Sequence, residues 1–328
     1  MNIIQPSATF CEVSDPYKKI ELIGRTCYKS EDKITNDSCY RFVKQMREHG
    51  HFAMLEHAWF HFRLTRLQGI EHFLNIPALV LTQDPILKDD YILTVSLSHL
   101  VNSRWTKLRP LFDACLYMVH EVYGNGHFDS DETKKFMSVG EYGKVSCIIG
   151  LIGEEDLEEV FDLSNEDEYN DFKMHKHLTW KFVCDRGVTH ELVRHRISFA
   201  QESTRYVNYS KEKFGSSINV VKPSQIEINN TDGSAYTVWK HAMINAEESY
   251  MELTEQLNIP AQTARSVLPT ATKADIWATA SMDQWDHFFN MRSIGVTGSP
   301  HPDMKVIADI AYDQYMNFVT SLSATGRK

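Results

Sequence analysis

The chain has 328 residues, of which 42% are hydrophobic, and a formal net charge of -10. This length and composition are typical of a globular protein with one large domain or two smaller ones. The longest apolar run, Cys147 to Gly153, falls far short of the roughly 20 residues that a membrane-spanning helix needs, which argues against a membrane protein.

The negative charge is concentrated in one segment. Ten carboxylates and no lysine or arginine lie between Gly150 and Phe172, while acids exceed bases by ten in the whole chain. The remainder is therefore neutral and lacks the broad basic face of a nucleic-acid-binding protein. We expect the acidic segment to be a solvated surface or a mobile loop.

The six cysteines form no C-x-x-C pair and no close framework. This indicates reduced thiols rather than disulfides or structural zinc. The first residues contain no basic region ahead of an apolar stretch, and we expect a cytoplasmic protein.

The N-terminal part of the chain, residues 16–49, is predicted to be helical. Apolar residues such as Ile20 and Phe42 recur at helical spacing on either side of a polar break. Ser38 or Asp37 is expected to cap the second helix. A strand is predicted to begin near Ala58, because the residues that follow it alternate in character.

The middle of the chain is predicted to contain a strand at Tyr91–Leu97, a helix at Val101–Tyr123, a turn at residues 124–132 and then the acidic segment. Leu178–Gly187 is predicted to be a strand that turns at Gly187 into a helix holding His190 and Arg194.

The last third begins with a turn-rich passage that includes a strand, followed by a long amphipathic helix at Ala235–Leu257 that Pro260 stops. Ala264–Ser293 is predicted to be a weakly charged helical stretch, with Arg265 and Arg292 near its two ends.

Two histidine-rich stretches raise the question of a metal site. His49, His51, His57 and His61 match no tight ligand spacing, although Glu56 lies among them. In HELVRH the two histidines are one residue further apart than in the H-E-x-x-H zinc motif, and about 140° apart around a helix. We therefore expect no metal.

The cations of one short stretch stand out in this acidic chain. Arg194, His195 and Arg196 are adjacent, and Arg205 follows beside hydroxyl-bearing residues. Guanidinium groups bind phosphate or carboxylate through two hydrogen bonds, so the stretch indicates an anion site. Ion pairs with Glu191 and neighbouring carboxylates on a helix surface would explain the same pattern, and both interpretations remain open.

The stretch RHRISFAQESTRY, Arg194 to Tyr206, resembles the signature of the flavin-dependent thymidylate synthases, the ThyX family, written as Arg-His-Arg, seven residues and Ser. RTCYKSEDK, HFAMLEH, ARSVLP and HFFNMR resemble further parts of that family. The resemblance implies an α+β fold of the ThyX type, in which helices flank an antiparallel sheet, and a homotetramer with shared active sites. Because the family usually has far fewer residues before the Arg-His-Arg helix, residues 67–177 are interpreted as an inserted α/β subdomain within a single domain of residues 1–328.

The resemblance also implies an activity, the conversion of dUMP to dTMP. Methylenetetrahydrofolate would be the carbon donor, and NADPH would be the reductant through FAD. Arg292 would favour the ionised uracil ring and is the expected catalytic residue. The implied dUMP-binding residues are Glu191, Arg194, Gln201, Glu202, Ser203, Thr204, Arg205, Arg265 and Arg292. The implied FAD-binding residues are His51, Ala53, Glu56, Arg194, His195, Arg196, Gln201, Ser281, Asp283 and His287.

The chain departs from the family in two respects. Six residues, not seven, separate Arg196 from Ser203, and seven-residue spacing would select Thr204. We expect Ser203 to be the matching residue, with the shortening in an Ile197–Ala200 loop. The family also often has other residues at the places of Ala53, Ser281 and Asp283. A catalytically inactive nucleotide-binding relative that has lost flavin through these changes is therefore an alternative. A metal-dependent hydrolase that uses the histidine-rich stretches is another.

Overall fold

The computed structural model describes residues 1–70, 73, 76, 79–102, 108–124, 140–142, 145–154, 156–228 and 231–325. Its strands are β1 Asn2–Ile4, β2 Ser7–Phe10, β3 Trp59–Gln68, β4 Leu79–Gln83, β5 Tyr91–Ser96, β6 Gly140–Tyr142, β7 Val145–Ile152, β8 His177–Asp185, β9 Ser198–Gln201, β10 Asn219–Val221 and β11 Lys273–Ser281. Its helices are α1 Pro16–Tyr28, α2 Ser38–Glu48, α3 Phe52–Leu55, α4 Leu97–Asn102, α5 Arg109–Tyr123, α6 Leu157–Val160, α7 Glu166–His175, α8 Arg186–Leu192, α9 Ala235–Met251, α10 Ala261–Ala264, α11 Met282–Phe289 and α12 Pro302–Thr325.

A four-stranded antiparallel sheet in the order β2-β8-β11-β9 forms the centre of the C-terminal half. Trp180, Phe182 and Trp285 belong to the core on one face of this sheet, where α7, α11 and α12 contribute. Trp277 packs with Ile23 of α1 in a smaller cluster. Helices therefore flank the sheet, and the expected mixture of helices and antiparallel sheet is confirmed.

Two expectations about this sheet were wrong. The stretch Ala264–Ser293 is not continuously helical, because its middle is β11, which is buried over eight of its nine residues. A strand covered on both faces shows no alternation, so its sequence does not display the period of a strand. The expected loop at Ile197–Ala200 is mostly β9, which pairs with β11 so that Gln201 lies opposite Ile276.

A second antiparallel sheet has five strands in the order β4-β5-β3-β7-β6. Its core joins Phe62 and Leu93 from the sheet to Leu111 of α5, and also to Tyr17 of α1 and Phe42 of α2. The strands β4, β5 and β7 and the helix α5 thus share a core with the N-terminal helices. The boundaries at 67 and 177, and a separate inserted subdomain, stay predictions.

Most of the predicted helices and strands are confirmed, with small shifts at their ends. The predicted strand at Tyr91–Leu97 is β5, and the predicted helix at Val101–Tyr123 is divided between α4 and α5, with residues 103–107 outside the described residues. The turn at 124–132 also lies largely outside them. Asp37 occupies the N-cap of α2 without a side-chain hydrogen bond, and the hydroxyl of Ser38 instead donates to Glu21.

The acidic segment is more ordered than expected. It forms α6 and α7, and Leu157, Val160 and Phe161 are buried in the core of the four-stranded sheet. Lys176 pairs with Glu158 at 3.3 Å. The expected solvated surface is confirmed, since Glu159, Asp162 and Glu166 are exposed, but the mobile loop was wrong, because apolar residues between the carboxylates anchor the segment.

A parallel pair of strands, β1 and β10, lies beside α9. The predicted helix Ala235–Leu257 is confirmed as α9, which continues through a π-helical turn at Glu252–Gln256. Within the described ranges, none of the helices is long and apolar enough to cross a membrane.

Candidate active site

Arg292 is held in a fixed position by two side chains of the Arg-His-Arg region. It lies in a π-helical turn, Asn290–Ile294, that directly extends α11. Its Nε donates to Nε2 of His195 at 2.9 Å, and its Nη1 donates to Glu191 at 3.4 Å. Nη2 of Arg292 has no hydrogen-bond partner among the described residues, so one end of the guanidinium remains available to a ligand.

His195 is neutral in this arrangement. An imidazole nitrogen that accepts from an arginine carries no proton, so the proton lies on Nδ1. Burial, followed by the charges of Arg292 and His287, lowers the pKa of His195 to about 4. The ring also packs edge-on against Phe288 at 5.0 Å between centroids. Its position is therefore determined by contacts on two sides.

A cleft of about 560 Å³ opens beside Arg292. It is lined by side chains from the turn after α8, from α11 and from the π-helical turn that extends α11, namely Arg194, His195, Arg196, Ile197, Asp283, Gln284, His287, Met291 and Arg292. α8 ends at Leu192, earlier than predicted, so the three adjacent cations lie on an irregular turn. Arg194 and Arg196 are exposed and form no ion pair with any residue that the structure describes.

A second group of anion-binding character lies in the turn after β9. The hydroxyl of Thr204 accepts a hydrogen bond from Arg265 at 3.5 Å, whereas that of Ser203 accepts from the backbone of Arg205 at 3.2 Å. Both arginines are exposed and lack a carboxylate partner among the described residues. The backbone N–H of Thr204 is likewise free of partners within the described ranges.

Two of the predicted ligand residues point inward. Glu202 is only 3% exposed and pairs with Lys29 and Lys273. Gln201 donates to the hydroxyl of Thr189 at 3.1 Å. Sequence reasoning missed Lys29, although it lies within the family-like stretch RTCYKSEDK.

The remaining predicted cofactor residues divide between the cleft and another surface. Asp283 and His287 line the cleft of Arg292. Ser281 is buried and caps α11 through a capping box with Gln284. His51 precedes the short helix α3 and contacts Tyr28, and neither it nor Ala53 or Glu56 lines the cleft. Burial raises the pKa of Glu56.

The histidines considered for metal binding have other partners. His57 hydrogen bonds to Thr279 at 2.7 Å, and His61 to Thr94 at the same distance. In the part of the chain that the structure describes, no three His, Cys, Asp or Glu side chains are grouped as metal ligands.

Comparison with known proteins shows which family this part of the chain is similar to. Residues 165–318 match the family model Thy1, thymidylate synthase complementing protein. The chain is 32% identical over 148 residues to the flavin-dependent thymidylate synthase of Pyrococcus abyssi. The matched region covers 41% of this chain and 58% of the relative. It is 31% identical over 166 residues to the flavin-dependent thymidylate synthase of Mycobacteroides abscessus, and here the matched region covers 43% of this chain and 61% of the relative.

Among solved structures, a UMP/dUMP methylase PolB from Streptomyces cacaoi bound with 5-Br UMP matches 50% of this chain and 77% of its own, at 20% identity and a TM-score of 0.38. The chain spans about three-fifths of the length of the two curated relatives above, 58% and 61%. The matched segment contains Glu191, Arg194, Thr204, Arg265 and Arg292, and leaves α3 outside. Residues 165–318, slightly less than half of the chain, thus match the model of the thymidylate synthase complementing protein family, and the chain is similar to flavin-dependent thymidylate synthases.

Proposed function

We propose that the chain is a flavin-dependent thymidylate synthase, which converts dUMP to dTMP. Methylenetetrahydrofolate is the carbon donor, and NADPH is the reductant through FAD. The observation that carries the proposal is the arrangement of Arg292, which His195 and Glu191 hold at a cleft with Arg194 and Arg196 on its rim.

The turn after β9 supplies the phosphate site for dUMP. Arg265 and Arg205 offer guanidinium groups without carboxylate partners, and Thr204 offers a hydroxyl beside Arg265 and a backbone N–H. Donors of this kind suit a phosphate dianion. Since only the hydroxyl of Thr204 contacts Arg265, Thr204 is better placed for this role than Ser203.

Arg292 acts on the pyrimidine ring. Two of its nitrogens are occupied by His195 and Glu191, so the guanidinium cannot reorient when charge develops. The third nitrogen, Nη2, stabilises negative charge on a ring oxygen. Preorganised donors of this type often supply the largest single contribution to catalysis.

The residues at the cleft fit a flavin dinucleotide. Arg194 and Arg196 are unpaired cations suited to its diphosphate, and His287 is an exposed polar neighbour. Ser281 does not fit, because its side chain is committed to capping α11. Bound FAD would supply the hydride that reduces the transferred carbon, and the protein orients the reactants.

The separation of the expected flavin residues favours a shared site. His51, Ala53 and Glu56 lie away from the cleft that Asp283 and His287 line. In a homotetramer, α3 of one chain can complete the cleft of another. The assembly would function in the cytoplasm, where thiols stay reduced, in agreement with six free cysteines of which five are buried.

The test combines an absorption spectrum with an assay of dUMP-dependent flavin oxidation. A yellow protein whose reduced flavin is reoxidised by dUMP and methylenetetrahydrofolate supports the synthase. A colourless protein that binds dUMP would instead identify an inactive relative. The side chain of Ser281, which caps α11 and so does not bind flavin, favours this alternative. A colourless protein with stoichiometric zinc would identify a hydrolase.

A further inference from the structure

A buried network of charges lies directly behind the turn that carries Ser203, Thr204 and Arg205. Lys29 Nζ lies 3.4 Å from Glu202, and Lys273 Nζ lies 3.2 Å from Glu202 and 2.6 Å from Asp275. Lys29 also pairs with Asp275, and Lys181 lies 3.7 Å from it. Three lysines thus surround two carboxylates, each less than 5% exposed.

Glu202 connects this network to the turn, and both its backbone and its side chain are held. Its N–H donates to the carbonyl of Asp275 at 2.8 Å, and its own carbonyl accepts from Arg186 at 3.2 Å. Its carboxylate also accepts from the hydroxyl of Tyr209 at 3.3 Å. Because Glu202 immediately precedes Ser203, its position sets where the turn begins.

Lys29 adds a link from a distant part of the chain. It caps the end of α1 in the left-handed conformation, with φ 49° and ψ 55°, which is uncommon for a residue with a side chain. From this cap its ammonium group reaches both carboxylates, while the carbonyl of Cys27, in the last turn of α1, accepts from the N–H of Ser203 at 3.3 Å. The end of α1 therefore contacts the turn through backbone and side chain.

The network is tightly balanced. Burial opposes ionisation of Asp275, but Lys273, Lys29 and Lys181 together lower its pKa to about 2. Without Lys29, Lys273 would be the one lysine among the described residues close to both Glu202 and Asp275. The repulsion between the two buried carboxylates would then push Glu202 away from Asp275. The turn would move with Glu202.

We propose that Lys29, acting through Glu202, is a positioning residue for nucleotide binding: it sets Thr204 and Arg205 at the phosphate of dUMP. This role rests on the proposed function. In this role neither Lys29 nor Glu202 contacts the substrate. Both act through the turn that binds the phosphate, so replacing Lys29 affects binding of the phosphate end of the nucleotide and not of the ring.

The experiment compares dUMP with deoxyuridine, which lacks the phosphate, by calorimetric titration of the flavin-loaded protein. For Lys29→Met we expect the Kd for dUMP to rise about 10- to 100-fold, which corresponds to roughly 1.4 to 2.7 kcal/mol. The Kd for deoxyuridine stays within about twofold, because the ring end keeps its contacts. In kinetics, KM for dUMP rises while kcat at saturating dUMP changes little.

Two variants complete the comparison. Lys29→Arg keeps the charge, and we expect it to restore most of the dUMP affinity. Lys213→Met is the matched control, because Lys213 lines the same cavity of about 470 Å³ as Lys29 and Glu202, but it is half exposed and pairs with Asp32 rather than with Glu202. We expect Lys213→Met to leave the Kd for dUMP and the Kd for deoxyuridine unchanged.

The result is decisive in each direction. Wild-type dUMP affinity in Lys29→Met, or equal losses for dUMP and deoxyuridine, overturns the positioning role while leaving the proposed function intact. Absence of dUMP binding in the unmodified protein overturns both. If Lys29→Met does not fold, Tyr209→Phe removes one hydrogen bond to Glu202 with little change in volume. An unchanged ratio of dUMP to deoxyuridine affinity in that variant then refutes the role.

Discussion

Arg292 and His195, which are far apart in the sequence, meet through a hydrogen bond of 2.9 Å between Nε and Nε2. The contact requires an unprotonated Nε2, and burial and neighbouring cations keep the pKa of His195 near 4. The middle residue of the Arg-His-Arg motif thus has a structural role in orienting the arginine that we assign to catalysis.

Replacement of Arg292 by alanine tests that assignment. We expect turnover of dUMP to fall by about 10²- to 10³-fold, since loss of one preorganised donor typically costs about 3 to 4 kcal/mol. Flavin absorbance per protein stays close to that of the wild type. Arg41→Ala, at an exposed position of α2, serves as the control. Turnover at the wild-type rate in Arg292→Ala would remove this residue from the mechanism.

The hydroxyl that reads the nucleotide can be identified by two substitutions. Thr204→Val removes the hydroxyl beside Arg265 and keeps the shape of the side chain, so we expect dUMP affinity to fall about 3- to 100-fold. Ser203→Ala removes a hydroxyl that accepts from the backbone of Arg205 and has a smaller effect. Titration with dUMP measures both. The reverse order would support Ser203, the residue expected from the sequence.

The acidic segment is predicted to depend on its apolar residues and not on its exposed charges. Phe161→Ala leaves a cavity in the core, and we expect it to lower the free energy of unfolding by about 3 to 5 kcal/mol. Glu159→Gln together with Glu166→Gln changes two exposed carboxylates and costs less than about 1 kcal/mol. Urea unfolding gives both values. Equal stabilities of the two variants would contradict this view of the segment.

Acid is predicted to destabilise the fold through its buried histidines. Burial, with Lys176 and Lys19 nearby, lowers the pKa of His61 to about 3, below the value of about 6.5 in an unfolded chain. The unfolded state therefore takes up protons first, and stability present above pH 6.5 is lost as the pH falls toward 3. At pH 5 this one histidine costs about 2 kcal/mol.

The measurement is the loss in the free energy of unfolding between pH 7.5 and pH 5. We expect the loss to be smaller by about 2 kcal/mol in His61→Asn, which cannot take up the proton. His241→Gln, at an exposed position of α9, keeps the wild-type loss. The same loss in all three proteins would show that His61 does not control the acid response.

The sequence was informative where a pattern is local. The helices α1 and α9 and the strands β3, β5 and β8 could be predicted because their apolar spacing or their flanking turns are visible in the chain itself. β11 could not, because a strand buried on both faces has no alternation to read.

The candidate site was predictable in its parts but not in its arrangement. Arg194, His195 and Arg292 were identified through family-like stretches, and the structure brings them to one cleft. Glu202 lies in the same family-like stretch as Arg194 and His195. Its side chain is nevertheless buried, because Lys29 and Lys273 neutralise its charge. Such long-range charge partners leave no signature in a single sequence.

The pairing of β2 with β8 places Ser7 opposite Val183. During synthesis the N-terminal strand therefore leaves the ribosome long before its neighbour exists, a lag on the order of ten seconds or more at about 5–20 residues per second. Throughout that interval the strand has no hydrogen-bonding partner from β8. The four-stranded sheet can therefore take up β2 only after residues 177–185 have been synthesised.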